Sequence, residues 1–433
     1  MADNEIRIVT NNKKYQVWLY RLTGFFSLFT AFYFDLGLIN VRVNDIFYYM
    51  LCLFSFFLCI KKLRIGQPIG YLPIVLTVIV IVFYTFNLLG VIGLNEVFTR
   101  GAIKYFINRI PWLLIYVFIL MALGKNFCKE FLNGFIIGAL FCSVLMTIEL
   151  TVFLKSGQSI NYSFLSHFGV STEPYKGISN QGLLRPSGVT MDCNYSASYA
   201  VLAALILDET QLFKKKLIYS ITKLFLILSA LIVQSRTAIF GLIGIFLLSV
   251  LFRILNKKFK VIVSKQMIVL IACSITALLY LYYNIPEIFD RSFQRVALAD
   301  SSSGTRVLYF EKYKDEMLKN KNGFLRILFG NGTGSAGYIL ADVGYGKEAY
   351  WAPESNYLTF IIEQGIVFLF IFILIVFLSF VKLFELKSNI HIVFIYLLTV
   401  GATYNFLGDR VYWLLLLIFM SIPRISEDKA IFA

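Results

Sequence analysis

Four short stretches of the sequence carry residues suited to a charged, hydroxyl-bearing substrate. The first is Arg185-Pro-Ser-Gly188 followed by Asp192-Cys193-Asn194, and the second is Gln234-Ser235-Arg236-Thr237. The third is Gly304-Thr305-Arg306. The fourth is Pro353-Glu354-Ser355-Asn356-Tyr357-Leu358, with Glu363 and Gly365 beyond it. Arginine clamps phosphate through two parallel charge-assisted hydrogen bonds. A carboxylate beside an anion site is placed to take a proton from an incoming hydroxyl. Each residue alone also has a structural reading: Arg236 as a snorkelling anchor, Arg185 and Arg306 in loop ion pairs, Glu354 as a helix cap. Together, three guanidiniums and one carboxylate at one level are the toolkit for a phosphate-linked donor and a hydroxyl acceptor.

What must hold these residues is a membrane-embedded scaffold. The chain has 433 residues, 58% hydrophobic and only 15% charged, against about 45–50% and about 25% in soluble domains. Its mean hydropathy is +0.75. These values exclude a soluble enzyme, a nucleic-acid-binding module, a secreted disulfide scaffold and a disordered tail. A transmembrane barrel is excluded too, because its strands alternate apolar and polar residues, whereas 366–380 is apolar throughout except for Ser379. Apolar runs of roughly 17–25 residues read as spanning helices. They predict about twelve spans, near 16–40, 45–60, 69–93, 107–124, 131–155, 194–209, 217–234, 237–255, 267–284, 356–381, 389–407 and 410–422. The whole chain, 1–433, is then a single integral membrane domain of the all-α class. The first run is interrupted by Arg21 and lacks a small-residue cleavage site, so it reads as a retained span.

Placing both termini in the cytoplasm puts 20 basic residues against 8 acidic ones on the inner side. The positive-inside rule thus accounts for most of the +15 net charge without any nucleic-acid partner. The two long connections, about 156–194 and 284–354, fall on the outer side with all four stretches. In the second, Val307, Phe310, Tyr313 and Met317 have helical spacing, and the apolar segment 324–329 runs into a glycine-rich turn at 330–334. This loop balances nine basic with nine acidic residues, so an anion site in it depends on particular arginines. No repeat and no inverted pair of broken helices is evident. Cys128, on the inner side, and Cys193, near the outside, are the two cysteines outside the spans, so no disulfide framework or zinc spacing arises. His167 and His391 are far apart, and no oxygen-ligand loop is present, so no metal or cofactor is expected.

The motif Arg185-x-x-Gly188-x-x-x-Asp192-x-Asn194, Ser235-Arg236, Arg306 ahead of an amphipathic helix and the Leu328-Phe329-Gly330-x-Gly332 turn resemble the O-antigen polymerase (Wzy) and O-antigen ligase superfamily. So does the Asn356-Tyr357-Leu358, Glu363, Gly365 register. The likeness covers roughly 180–380 and the twelve-span layout with a large late external loop. It implies a GT-C-like, metal-independent glycosyltransferase of the inner membrane, working at the periplasmic face on undecaprenyl-diphosphate-linked oligosaccharides as donor and acceptor. It implies catalytic roles for Glu354 and Arg306, and substrate binding by Arg185, Arg236, Asn194 and Asn356. A chain-length regulator protein and the surrounding lipids are the partners it suggests. Many members, ligases in particular, carry a histidine where this chain has Glu354, which favours a polymerase over a ligase. A flippase or transporter would place ionisable groups near the bilayer midplane; Arg21, Glu149 and Lys223 are the candidates for that.

Overall fold

The computed structural model describes residues 2–35, 40–62, 71–91, 102–104, 106–157, 185–190, 192–210, 212–233, 235, 238–239, 241–245, 311, 313–315, 318, 323–337, 339, 355–386, 390–403 and 409–425. Its elements are α1 (Ala2–Phe26), β1 (Tyr33–Asp35), β2 (Asn40–Arg42), α2 (Val43–Lys62), α3 (Tyr71–Val91) and α4 (Ile110–Ser156). They continue with α5 (Cys193–Ile206), α6 (Lys216–Ile232), α7 (Gly323–Phe329), α8 (Asn356–Phe384), α9 (Ile390–Thr403) and α10 (Arg410–Ile425). α3, α4 and α8 are long and apolar enough to cross a membrane, and shorter apolar helices lie within 43–57, 193–206, 390–402 and 410–423. The protein is therefore an all-α membrane protein, with one small β ribbon among the described residues.

Most apolar runs end close to where the sequence places them, but the first does not. α1 stops at Phe26, and the rest of the 16–40 run turns and forms an antiparallel pair, Tyr33 opposite Arg42 and Asp35 opposite Asn40. The run is apolar because it is rich in phenylalanine, a residue that suits a ribbon as well as a helix, so hydropathy alone overextends the span. Of the 237–255 run only 238–239 and 241–245 are described, all helical, and the 267–284 run lies outside the described residues.

α4 corresponds to two expected spans. A straight helix of 47 residues would be about 70 Å long, more than twice the roughly 30 Å hydrocarbon core. Gly124, at φ 58° and ψ −143°, breaks it. α1 packs along the second arm, Tyr20 on Phe127 and Phe25 on Phe141. Their backbones touch where a side chain on Gly24 would collide with the Phe131 carbonyl. α10 is buried on every side from Arg410 to Ile422, which places it at the centre of the bundle.

α8 contains a second break, at Gly365 (φ 86°, ψ 168°). The sequence reading finds no inverted pair of broken helices and does not identify this single break. A break leaves helical carbonyls without their usual donors, and in hydrocarbon each unsatisfied group costs several kcal/mol. Here the turn after α7 supplies the donors. Asn331 donates its backbone N–H (3.0 Å) and its side-chain amide (2.8 Å) to the Ile362 carbonyl, and Gly332 N–H donates to Glu363 O at 3.2 Å. Gln364 accepts from Asn87 of α3 (2.9 Å) and donates to Thr333, whose hydroxyl donates to Tyr84 O. Asn331 also donates to Tyr313 (2.7 Å), and Tyr313 is buried with Ala336, Leu358 and Ile362. Burial pushes the Tyr313 phenol up to about 12. The described residues of 311–318 are helical, as their spacing predicts.

The seam has no room for side chains. A Cβ on Gly365 would lie 2.2 Å from Leu328 O, and one on Gly330 2.2 Å from Glu363 O. Gly365→Ala should therefore combine left-handed strain of about 1–2 kcal/mol with overpacking of about 1–3 kcal/mol. Gly244→Ala, with open space around it, is the control. Thermal unfolding in detergent should show a clear drop for the first substitution and none for the second.

Candidate functional site

The loop ahead of α5 is built by short-range polar chemistry. Asp192 is extended and caps α5, its carboxylate accepting from Asn194 N–H at 2.6 Å. This satisfies an orphan donor of the first turn. Thr190 donates to Asp192 O (2.7 Å), and Ser196 bonds Thr190 and the Ser187 carbonyl. Gly188 sits at φ +59°, where a Cβ would meet Cys142 Sγ at 2.6 Å, so the turn lies directly on α4.

Beneath that turn lies Glu149, 2% exposed. Its carboxylate accepts from Ser187 N–H (3.3 Å) and Gly188 N–H (3.4 Å). A buried carboxylate is costly unless hydrogen-bonded, and here it anchors the Arg-Pro-Ser-Gly turn from inside the bundle. The turn in its place, Arg185 reaches across to the end of α6. Its Nη2 donates to Asn194 Oδ1 at 2.8 Å and its Nε to Val233 O at 3.3 Å. Ser235 donates to the same Asn194 oxygen at 3.0 Å. Two stretches about forty residues apart in sequence thus meet at one amide. A guanidinium held through two of its nitrogens has a fixed orientation, and its planar fork suits an oxyanion.

Of the remaining site residues expected from sequence, Asn356 is the first residue of α8 and is buried, its amide against Gly401 and the Tyr412 hydroxyl. Its contacts are therefore with the last two helices. Ser355, beside it, caps α8 by accepting from Leu358 N–H. Arg236, Arg306 and Glu354 lie outside the described residues. The three ionisable groups considered as mid-span candidates all have protein partners. Arg21 pairs with Glu130 at 2.5 Å, Lys223 with Asp208 at 2.6 Å, and Glu149 holds the turn described above.

One group of residues has no counterpart in the sequence reading. Arg42, Asp45, Asp409 and Arg410 meet where α2 and α10 begin. Asp45 forms an ion pair with Arg410, whose guanidinium lies 4.2 Å over the Trp112 ring. Asp45 also accepts from Arg42 N–H at 2.6 Å. Asp409 accepts from the Tyr199 hydroxyl of α5 (2.7 Å) and from Val411 N–H (2.9 Å). Burial raises the Asp409 carboxyl above its ordinary range, against the opposing pull of Arg42 and the Tyr199 hydrogen bond. The residues stand in the sequence where Asp409-Arg410 opens one apolar run and Arg42-x-x-Asp45 another, but single charges at the ends of spans read as interfacial.

No protein-family model matches the chain, and no curated protein matches it.

Glu149 gives a clean test of how the Arg185 turn is held. Glu149→Gln keeps an oxygen for both N–H groups and should unfold within about 1 kcal/mol of wild type. Glu149→Ala strands two buried donors, at about 1–3 kcal/mol each, and should lower the thermal midpoint markedly. Equal midpoints for the two variants would remove the anchoring role.

Proposed function

We propose that this protein is a GT-C-like membrane glycosyltransferase of about twelve spans that polymerises undecaprenyl-diphosphate-linked oligosaccharide repeat units at the outer face of the cytoplasmic membrane. The observation that supports it most is the meeting of Arg185, Asn194 and Ser235, which joins two of the four stretches that sequence alone marks as substrate-handling. Arg236 follows Ser235 directly in the sequence.

In this reading Arg185, Arg236 and Arg306 hold the donor diphosphate, and Asn194 and Asn356 orient substrate. Glu354 accepts the proton of the acceptor hydroxyl as that oxygen attacks the anomeric carbon. The bond from that carbon to the phosphate oxygen breaks, and undecaprenyl diphosphate leaves with its charge stabilised by the arginines. The product is the acceptor's repeat unit extended by the donor's glycan. A ligase that transfers glycan to a lipid A core would use the same donor site, but the carboxylate at 354 favours the polymerase. Among the described residues the broken helices, at Gly124 and Gly365, are features that speak for a transporter, since transporters bind substrate at unwound helices. At Gly365 the carbonyls at 362 and 363 are occupied by Asn331 and Gly332, which weighs against a substrate site at that break.

Purified protein supplied with lipid-linked repeat units should form polymer in the presence of EDTA. Arg185→Ala, Arg236→Ala and Arg306→Ala should each lose most of that activity at matched protein levels, with Arg306→Lys only a partial rescue because an ammonium cannot form the bidentate pair. Wild-type polymer length in all three, or activity abolished by EDTA and restored by magnesium, counts against the reading.

Glu354→Gln keeps the side chain's shape and removes the base. General-base catalysis contributes about 10²–10⁴-fold, and a rate loss of that order with donor binding intact is expected. An unchanged rate would assign Glu354 to capping α8 alongside Ser355.

A further inference from the structure

Four helices converge where α10 begins. Asp409 accepts from Val411 N–H at 2.9 Å and from the Tyr199 hydroxyl of α5 at 2.7 Å. Arg410 pairs with Asp45 of α2 and lies 4.2 Å over the Trp112 ring of α4. Asp45, Asp409 and Tyr199 are all buried. Replacing a buried ion pair with apolar residues is often neutral or stabilising, so stability alone does not account for this group. What it supplies is geometry, because it fixes the start of the central helix from three sides.

α5 needs such a reference point. Every residue from Tyr195 to Ala204 is buried, and most of them are alanine or serine. Small side chains around the whole circumference leave no apolar stripe to select one rotation of the helix. The Tyr199 bond to Asp409 selects it. The Tyr199 ring also packs edge-on against Phe135 of α4 at 5.8 Å, a contact that does not involve the hydroxyl. Asn194 lies five residues earlier on the same helix, about 8 Å along its axis. Its side-chain oxygen is the one that accepts from Arg185 and Ser235.

We infer that Tyr199 and Asp409 are positioning residues, whose hydrogen bond sets the rotation of α5 and, through Asn194, the orientation of Arg185 toward the donor phosphate. The consequence for phosphate rests on the glycosyltransferase reading; the consequence for the Arg185 turn does not. Two measurements on the purified full-length protein separate them. Amide hydrogen exchange reads the turn 185–190 and the start of α5 without any ligand, and titration with farnesyl diphosphate in EDTA reads the anion site. Tyr199→Phe deletes the hydroxyl and keeps the ring on Phe135. Asn87→Ala, which loses a buried hydrogen bond to Gln364 at the α8 seam, is the control for lost stability alone.

Tyr199→Phe should speed exchange in the turn and bind farnesyl diphosphate about fivefold more weakly, whereas Asn87→Ala should do neither. Residues that act through one network are not additive, so Tyr199→Phe combined with Asn194→Ala should bind no more weakly than Asn194→Ala alone. Exchange or affinity unchanged in Tyr199→Phe, the same losses in Asn87→Ala, or losses that multiply in the double variant each overturn the positioning role. If wild type binds no farnesyl diphosphate while exchange in the turn rises in Tyr199→Phe and not in Asn87→Ala, the positioning of the turn stands and the diphosphate reading falls.

Discussion

A chain inside a bilayer has no water to satisfy its backbone, so every interruption of a helix must be repaired by protein. The break in α8 at Gly365 is the place where this constraint shapes the molecule. Its freed carbonyls at 362 and 363 are met by Asn331 and Gly332, and the fit is so close that neither Gly330 nor Gly365 has room for a Cβ. The repair ties the late polar loop to α8. Gln364 and Thr333 then tie both to α3. Ser355 and Asn356 begin the same helix, with Ser355 as its cap.

The same logic runs through the Arg185 turn. An isolated carboxylate at Glu149 would be too costly to bury, yet as the acceptor for two backbone N–H groups it holds a polar turn against α4. Asp192 caps α5 and so sets the position of Asn194. Asn194 in turn holds Arg185 and receives Ser235. Each buried polar group is placed by the one beneath it. The central helix α10 closes the arrangement, since Asp409 at its start is joined to Tyr199 on the helix that Asn194 begins.

Much of this was legible in the residues themselves. Long apolar runs such as 356–381 specify helices whatever their neighbours, and Asp192 and Ser355 signal their own helix starts through capping. The motif from Arg185 to Asn194 read as one unit because its members are close in sequence. Its link to Ser235 had to be inferred from a shared level. Phe26 to Phe34 misled because an apolar aromatic run does not declare its backbone conformation. Gly365 was ambiguous for a related reason, since a lone glycine in an apolar run fits both an intact and a broken helix; its partner, the 330–334 turn, is remote in sequence. The group formed by Arg42, Asp45, Asp409 and Arg410 was hidden because its members come from the starts of two distant helices, where single charges read as interfacial.

The account stands on Arg185 being held by Asn194 in readiness for a diphosphate. Titration of the purified protein with a short-chain prenyl diphosphate in EDTA tests this without any acceptor or turnover. Wild type should bind saturably, and Asn194→Ala, which leaves every arginine in place, should bind about tenfold more weakly, the equivalent of about 1.4 kcal/mol. That loss is in keeping with a hydrogen bond to a charged group, worth about 1.5–3 kcal/mol. Equal affinity in the two proteins would contradict the account.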